Sequence, residues 1–291
     1  MIAPAQNRLF NILLTDDGSL NVRPAIQLMA DLPIDSKCLV TALRVFTPFE
    51  STEYATVVAN AERTKNLLQS CNFQFESEIV LGYPTETIIE YATQHNPDLI
   101  VMGAKGAGMF TGLLGSVAAN IVHSGVWPVL IVRQPYKSLK KILLVTDGSA
   151  HSQATCNFLT NFPIPSDASV EIMYVLPESP AYFAVEPFGM AMIAMPPLEE
   201  QELMQKQEND GMNLLNAVQN LLQEHGLQTS TVLTRGDPSS QIIKIASEHQ
   251  CDLIVCGSHG AGNLTGLLLG SVSRDLVLNA PCSVLVVRKQ P

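Results

Sequence analysis

The chain has 291 residues and a formal net charge of −10, with 46% hydrophobic and 15% charged residues. That length sets a prior of about two domains, and that balance belongs to a packed globular protein, which excludes a disordered chain. The acidity argues against a nucleic-acid backbone or an anionic membrane as partner, while a small anion held by local dipoles stays open.

No run reaches 18 apolar residues, so no membrane span is expected, and the start MIAPAQNRLFNILL lacks the basic region and long apolar core of a secretory signal. A cytoplasmic location is the expectation. None of the six cysteines forms a C-x-x-C pair, so they read as small buried hydrophobes in a reducing compartment, with no metal role.

Residues 9–15 (LFNILLT) read as the first strand and end in Asp16-Asp17-Gly18-Ser19. Helical spacing through Ala25, Ile26 and Met29 follows and closes before Pro33. A second strand over 38–45, a helix over 53–68 and a third strand with a partly polar face over 73–80 come next. Gly82 and Pro84 open another helix, because proline is tolerated in a first helical turn. The stretch DLIVMGAKGAGMFTGLLGSVAANIVHSGVWPVLIVR then gives a fourth strand, a glycine loop, a helix from about Val117 and a fifth strand at Val129. Trp127 reads as packing beside that last strand.

After a linker over 134–139 the pattern restarts. Residues 141–146 form a first strand ending in Asp147-Gly148-Ser149, with strands over 169–175 and 227–234. Asp237 is a helix cap before Pro238. The stretch CDLIVCGSHGAGNLTGLLLGSVSRDLVLNAPCSVLVVR again gives strand, glycine loop, helix and strand. Ile12 matches Ile142, Gly82 matches Gly236, Gly103 matches Gly257 and Ser116 matches Ser271, so the chain is a duplication with domains at 1–136 and 137–291. Residues 177–197 break the symmetry. Five prolines and a methionine cluster disfavour one regular element there. The segment is either a loop packed on the other half or a lid or partner-binding surface. A helix over 198–225 follows, with Leu214, Leu215, Val218, Leu221 and Leu222 as a core-facing stripe.

Strands alternating with helices make a parallel sheet with right-handed crossovers, and ligands bind such sheets beyond the carboxyl ends of strands, where the order reverses. With strand order 3-2-1-4-5, the first and fourth strands are neighbours at that reversal. The Asp147 turn and the Gly257 loop then flank one crevice. Asp147 can accept a hydrogen bond from a base amino group or a ribose hydroxyl, with Thr146 beside it. Gly257 and Gly260 let the chain pass close to ribose and phosphate. Gly270, Ser271, Val272 and Ser273 open a helix whose N-terminal N–H groups suit phosphates. Arg274 adds a cation, and main chain near Val175 can read a base edge. Ser271 reads as the N-cap. His259 reads as a loop residue near ligand or solvent, and His151 as a surface residue.

These residues carry a resemblance. Gly257-Ser258-His259-Gly260, nine residues, then Gly270-Ser271, with Asp147-Gly148-Ser149 after the first strand, is similar to the nucleotide loop of universal stress proteins. The chain resembles a tandem of two such units along nearly all of both halves. The resemblance implies an α/β fold of two Rossmann-like domains, each a five-stranded parallel sheet with helices on both faces. It also implies pairing of the two units through their last strands as an intramolecular pseudo-dimer. Binding of ATP, ADP or AMP, with Mg accompanying the phosphates, is implied as well, together with a stress-linked regulatory role and no efficient catalysis. A homodimer of the whole chain stays open.

The first half departs from the pattern. Gly103-Ala104-Lys105-Gly106 is followed by only eight residues before Gly115-Ser116, and Ala118 and Ala119 stand where the second half has Ser273 and Arg274. Asp16 stands where Thr146 does, which puts two carboxylates at the turn. Asp17, Val45, Gly103, Gly106, Gly115 and Ser116 therefore make a second site that is weak, empty or repurposed. Other nucleotide chemistries lack their motifs: there is no G-x-x-x-x-G-K-[ST], and no G-x-G-x-x-G follows a first strand. The competing readings are a slow ATPase at the same site and a scaffold that acts through residues 177–197.

Overall fold

The computed structural model describes residues 10–34, 38–104, 114–178, 183–185, 191–193, 198–260 and 269–289. The first half runs β1 (Phe10–Asp16), α1 (Val22–Asp31), β2 (Cys38–Phe46), α2 (Tyr54–Leu68), β3 (Gln74–Leu81), α3 (Pro84–His95), β4 (Leu99–Gly103), α4 (Ser116–Ser124) and β5 (Val129–Val132). The second half repeats it: β6 (Lys141–Val145), α5 (Ala150–Leu159), β7 (Ser169–Leu176), then β8 (Phe183–Val185) and β9 (Ala191–Ile193), α6 (Leu198–Glu224), β10 (Gln228–Arg235), α7 (Pro238–Glu248), β11 (Leu253–Gly257), α8 (Ser271–Asn279) and β12 (Ser283–Val287).

One ten-stranded sheet carries both halves in the order β10-β7-β6-β11-β12-β5-β4-β1-β2-β3. Within this sheet each half therefore places its strands third, second, first, fourth, fifth, and all its pairings inside a half are parallel. The join is antiparallel, with Leu285 of β12 opposite Leu130 of β5, so the two last strands cover each other's edges. Central strands are apolar on both faces because helices cover both sides of a parallel sheet. Along β1, Ile12 and Leu14 enter one core with α1, α2, α5 and α6, while Leu13 enters the other with α3, α4, α7 and α8. The outermost strands, β3 (QFESEIVL) and β10 (QTSTVLTR), contain no fully buried residue, which explains their polar faces.

Three local readings change. A 3-10 turn, Pro48–Glu53, precedes α2, because Thr47 and Glu50 form a capping box there and α2 starts only at Tyr54. Residues 177–197 are not all loop: β8 and β9 pair antiparallel, Ala184 opposite Met192, and the remainder of 179–197 lies outside the described residues. Gly270, not Ser271, is the N-cap of α8; it has extended φ/ψ of −64° and 156°, and Ser271 is already helical. Asp237 does cap α7, accepting from Ser240 N at 2.9 Å, and Leu215, Val218 and Leu222 of α6 are buried. None of the six cysteines forms a disulfide; Cys71 and Cys282 are half-buried and the other four buried.

Candidate functional site

In the second half the tips of β6, β7 and β11 and the start of α8 enclose a cavity of about 310 Å³. Ten of the eleven residues singled out there line it: Thr146, Asp147 and Val175 from the β6 and β7 tips, Gly257, His259 and Gly260 after β11, and Gly270, Ser271, Val272 and Ser273 at the opening of α8; Arg274 is exposed and is not among the lining residues. Strands β6 and β11 pair directly, Val255 opposite Leu144, which is why the acidic turn and the glycine loop face each other.

The turn is built by its own side chains. Asp147 Oδ1 accepts from Ser149 N at 3.0 Å, Gly148 takes a φ of 74°, and Ser149 caps α5 by accepting from Ser152 N. The other carboxylate oxygen of Asp147 points at Gly260, where an added Cβ would sit 2.8 Å from it, so only a glycine leaves that carboxylate in place. The loop closes through Gly270 N donating to Ser258 O at 2.8 Å. Ser273 is buried, and its hydroxyl lies 2.7 Å from Gly257 O and 3.1 Å from Ser258 O. Its first task is therefore to tie α8 to the loop. The leading N–H groups of a helix have no intrahelical partners, so the α8 start presents donors and a partial positive charge to the cavity.

Of two histidines, His259 keeps its reading as a loop residue at the cavity and His151 does not keep its own. His259 is buried at 9% exposure, with Nδ1 3.1 Å from Ser258 Oγ, and its ring lies 5.0 Å from that of His151 in a tilted contact. His151 is half-buried, not a surface residue, because the first turn of α5 packs against Gly257. Sequence reasoning also passed over Tyr174, Ser152, Pro238, Ile242 and Cys256, all of which line the cavity. Pro238 and Ile242 sit four residues apart on the opening of α7, a helical spacing that could have marked them.

The first half holds a matching cavity of about 290 Å³, lined by Asp17, Val45, Gly103, Gly115 and Ser116 together with Asp16 and Ala118. Gly106, Lys105, Gly262 and Gly266 lie outside the described residues. Gly115 N donates to Ala104 O at 2.8 Å, the counterpart of the Gly270–Ser258 bond, so the shorter spacing leaves the loop ends joined in the same way. Asp16 is buried at 5% exposure and accepts from Gly18 N at 2.7 Å. Burial raises its pKa to about 6, against the pull of Thr64, Arg44 and Arg63. Among the described residues no group of three or more His, Cys, Asp or Glu is placed to hold a metal. No described helix is long and apolar enough to cross a membrane.

The order of the sheet, the crevice at the reversal in each half and the join through the last strands define a fused pair of nucleotide-fold α/β units. The family model of the universal stress protein family matches residues 9–133 and 138–288. The chain belongs to that family. A universal stress protein of Mycobacterium tuberculosis is 27% identical over 249 residues, covering 83% of this chain and 79% of that protein. One from Methanocaldococcus jannaschii is 32% identical over 160 residues, covering 55% of this chain and 88% of that one. Among solved structures, a universal stress protein from Archaeoglobus fulgidus superposes with a TM-score of 0.64 at 19% identity, covering 96% of both chains.

Proposed function

We propose that the second-half cavity binds an adenine nucleotide, ATP, ADP or AMP, and that the protein acts as a regulatory nucleotide sensor in a stress response. The observation that carries this is the convergence of an acidic turn, a glycine loop and a helix N-terminus on one cavity at the strand-order reversal. Apolar Val175 and Ile242 suit a base, the Asp147 carboxylate a ribose hydroxyl or base amino group, and the start of α8 the phosphates. A volume of about 310 Å³ is at the small end of ligand pockets, roughly 300–1,000 Å³. Base and ribose fill it, and the phosphates lie along α8 toward solvent with Mg as their counter-ion.

Isothermal titration of the purified chain with ATP, ADP and AMP tests this, alongside mass spectrometry of co-purified small molecules. Saturable binding that is lost in Gly260→Trp, with the far-UV spectrum unchanged, is the expected outcome. Equal affinity in that variant sinks the proposal. The slow-ATPase reading draws on His259, a buried imidazole in the cavity wall. Phosphate release that disappears in Asp147→Ala favours it over pure sensing.

A further inference from the structure

We propose that the first-half cavity is a nucleoside site, which takes the base-and-ribose body of a purine compound and rejects its phosphates. This rests on the nucleotide reading of the second cavity and extends it to the other half. The two cavities share their body walls position by position: Val45 with Val175, Pro84 with Pro238, and Ile88 with Ile242. What differs is the polar lining. At three places where the second cavity has the hydroxyls of Thr146, Ser152 and Ser273, the first has Asp16, Val22 and Ala118. In the second, Thr146 donates to Ser152 Oγ at 3.2 Å, a neutral pair. In the first that pair becomes a carboxylate beside a valine.

The cations that balance Asp16 stay beneath the turn. The guanidinium of Arg44 packs against Gly18, and Arg63 Nη2 donates to Gly18 O. Neither arginine lines the cavity, and among the described residues no lysine, arginine or histidine does. A ligand there meets Asp16 and Asp17, and among the described lining residues the start of α4 is what offers it a partial positive charge. Phosphates near two carboxylates are repelled, whereas ribose hydroxyls can donate to them. The apolar body walls are kept while three hydroxyls of the polar side give way to a carboxylate, a valine and an alanine, which favours a phosphate-free ligand.

The equivalence of Ile88 and Ile242 supplies the test. Isoleucine δ1-methyl NMR on the full chain reads both cavities in one spectrum during titrations with adenosine and with ATP. The expected result is that ATP moves Ile242. Adenosine moves Ile88 with an apparent affinity roughly tenfold or more above that of ATP at the same methyl, about 1.4 kcal/mol. In Asp16→Thr/Ala118→Ser, which installs the second-half residues, that ratio narrows toward one. The proposal is overturned if ATP moves Ile88 at the same or lower concentration than adenosine, or if Ile88 ignores millimolar adenosine. Silence of Ile242 toward ATP instead removes the nucleotide reading itself, and the contrast between cavities with it. The wild-type titration decides the matter even if the double variant fails to fold.

Discussion

The join between the halves rests on more than three strand pairs. Arg133, just after β5, sends Nη2 to Val277 O and Leu278 O at 2.6 and 2.9 Å, the last carbonyls of α8 in the other half. Arg288, just after β12, does the same for Val122 O and His123 O of α4, at 2.7 and 2.9 Å. Each half thus caps the other's ligand-facing helix at its C-terminal end, where the dipole is negative. A hydrogen bond from a charged donor contributes about 1.5–3 kcal/mol, and the dipole term adds about 0.3–1 kcal/mol. Burial lowers the pKa of both arginines, so holding the charge there costs part of that gain. The net expectation is about 2–3 kcal/mol lost in Arg133→Met or in Arg288→Met. In Arg133→Lys, where a point charge replaces a fork, about half of that is lost. Urea unfolding followed by Trp127, the single tryptophan, measures it. That ring is buried just beyond the end of α4, so it senses the Arg288 contact directly. Arg133→Met and Arg288→Met both within about 0.5 kcal/mol of wild type would refute the reciprocal-cap argument.

Gly260→Ala places a methyl against the Asp147 carboxylate and must swing it aside, so nucleotide affinity falls about tenfold or more while stability changes by less than about 1 kcal/mol; unchanged affinity contradicts the cavity geometry. Asp16 has a folded pKa of about 6 against 3.8 for a free side chain. Its stabilising contribution is therefore complete below about pH 4 and lost as pH rises through 6. Wild type should lose up to about 3 kcal/mol relative to Asp16→Asn between pH 4 and 7, and a constant difference in chemical denaturation across that range would refute the burial of the charge. Burial pushes the thiols of Cys251 and Cys282 up to about 11 and 12. Their labelling at pH 8 should be at least a hundredfold slower in the native protein than in urea, and equal rates would contradict their packing.

Much of this was legible in the sequence for definite reasons. Buried parallel strands are short apolar runs, and the repeated pair of acidic turn and glycine loop fixed which strand tips must meet. What stayed hidden depends on pairing across distance. Nothing in the spacing places Arg63 of α2 against the carbonyl of Gly18, 45 residues away, or Arg133 on a helix 144 residues further on. His151 read as a surface residue because single-sequence reasoning cannot see α5 packing over Gly257 and setting its ring against that of His259. Ser271 read as a cap because serine favours that position; the extended backbone at Gly270 takes it one residue earlier.

The duplication also explains why the halves could diverge at all. A lone five-stranded unit leaves the edge of its last strand open, and here β5 and β12 satisfy each other. Both cores run continuously through that join, so the strand tips at each cavity carry little of the structural load. The substitutions that separate the cavities are confined to such tips and to the first turns of α1 and α4. Asp16, Val22 and Ala118 stand where the second half has hydroxyls, Val22 and Ala118 at the rims of the two cores. A carboxylate at Asp16 needs Arg44 and Arg63 nearby, and their matching element positions lie on β2 and α2, outside the shared loop motif. Asp16 therefore comes with a set of charges placed around it by other elements, and not as an isolated substitution at the turn.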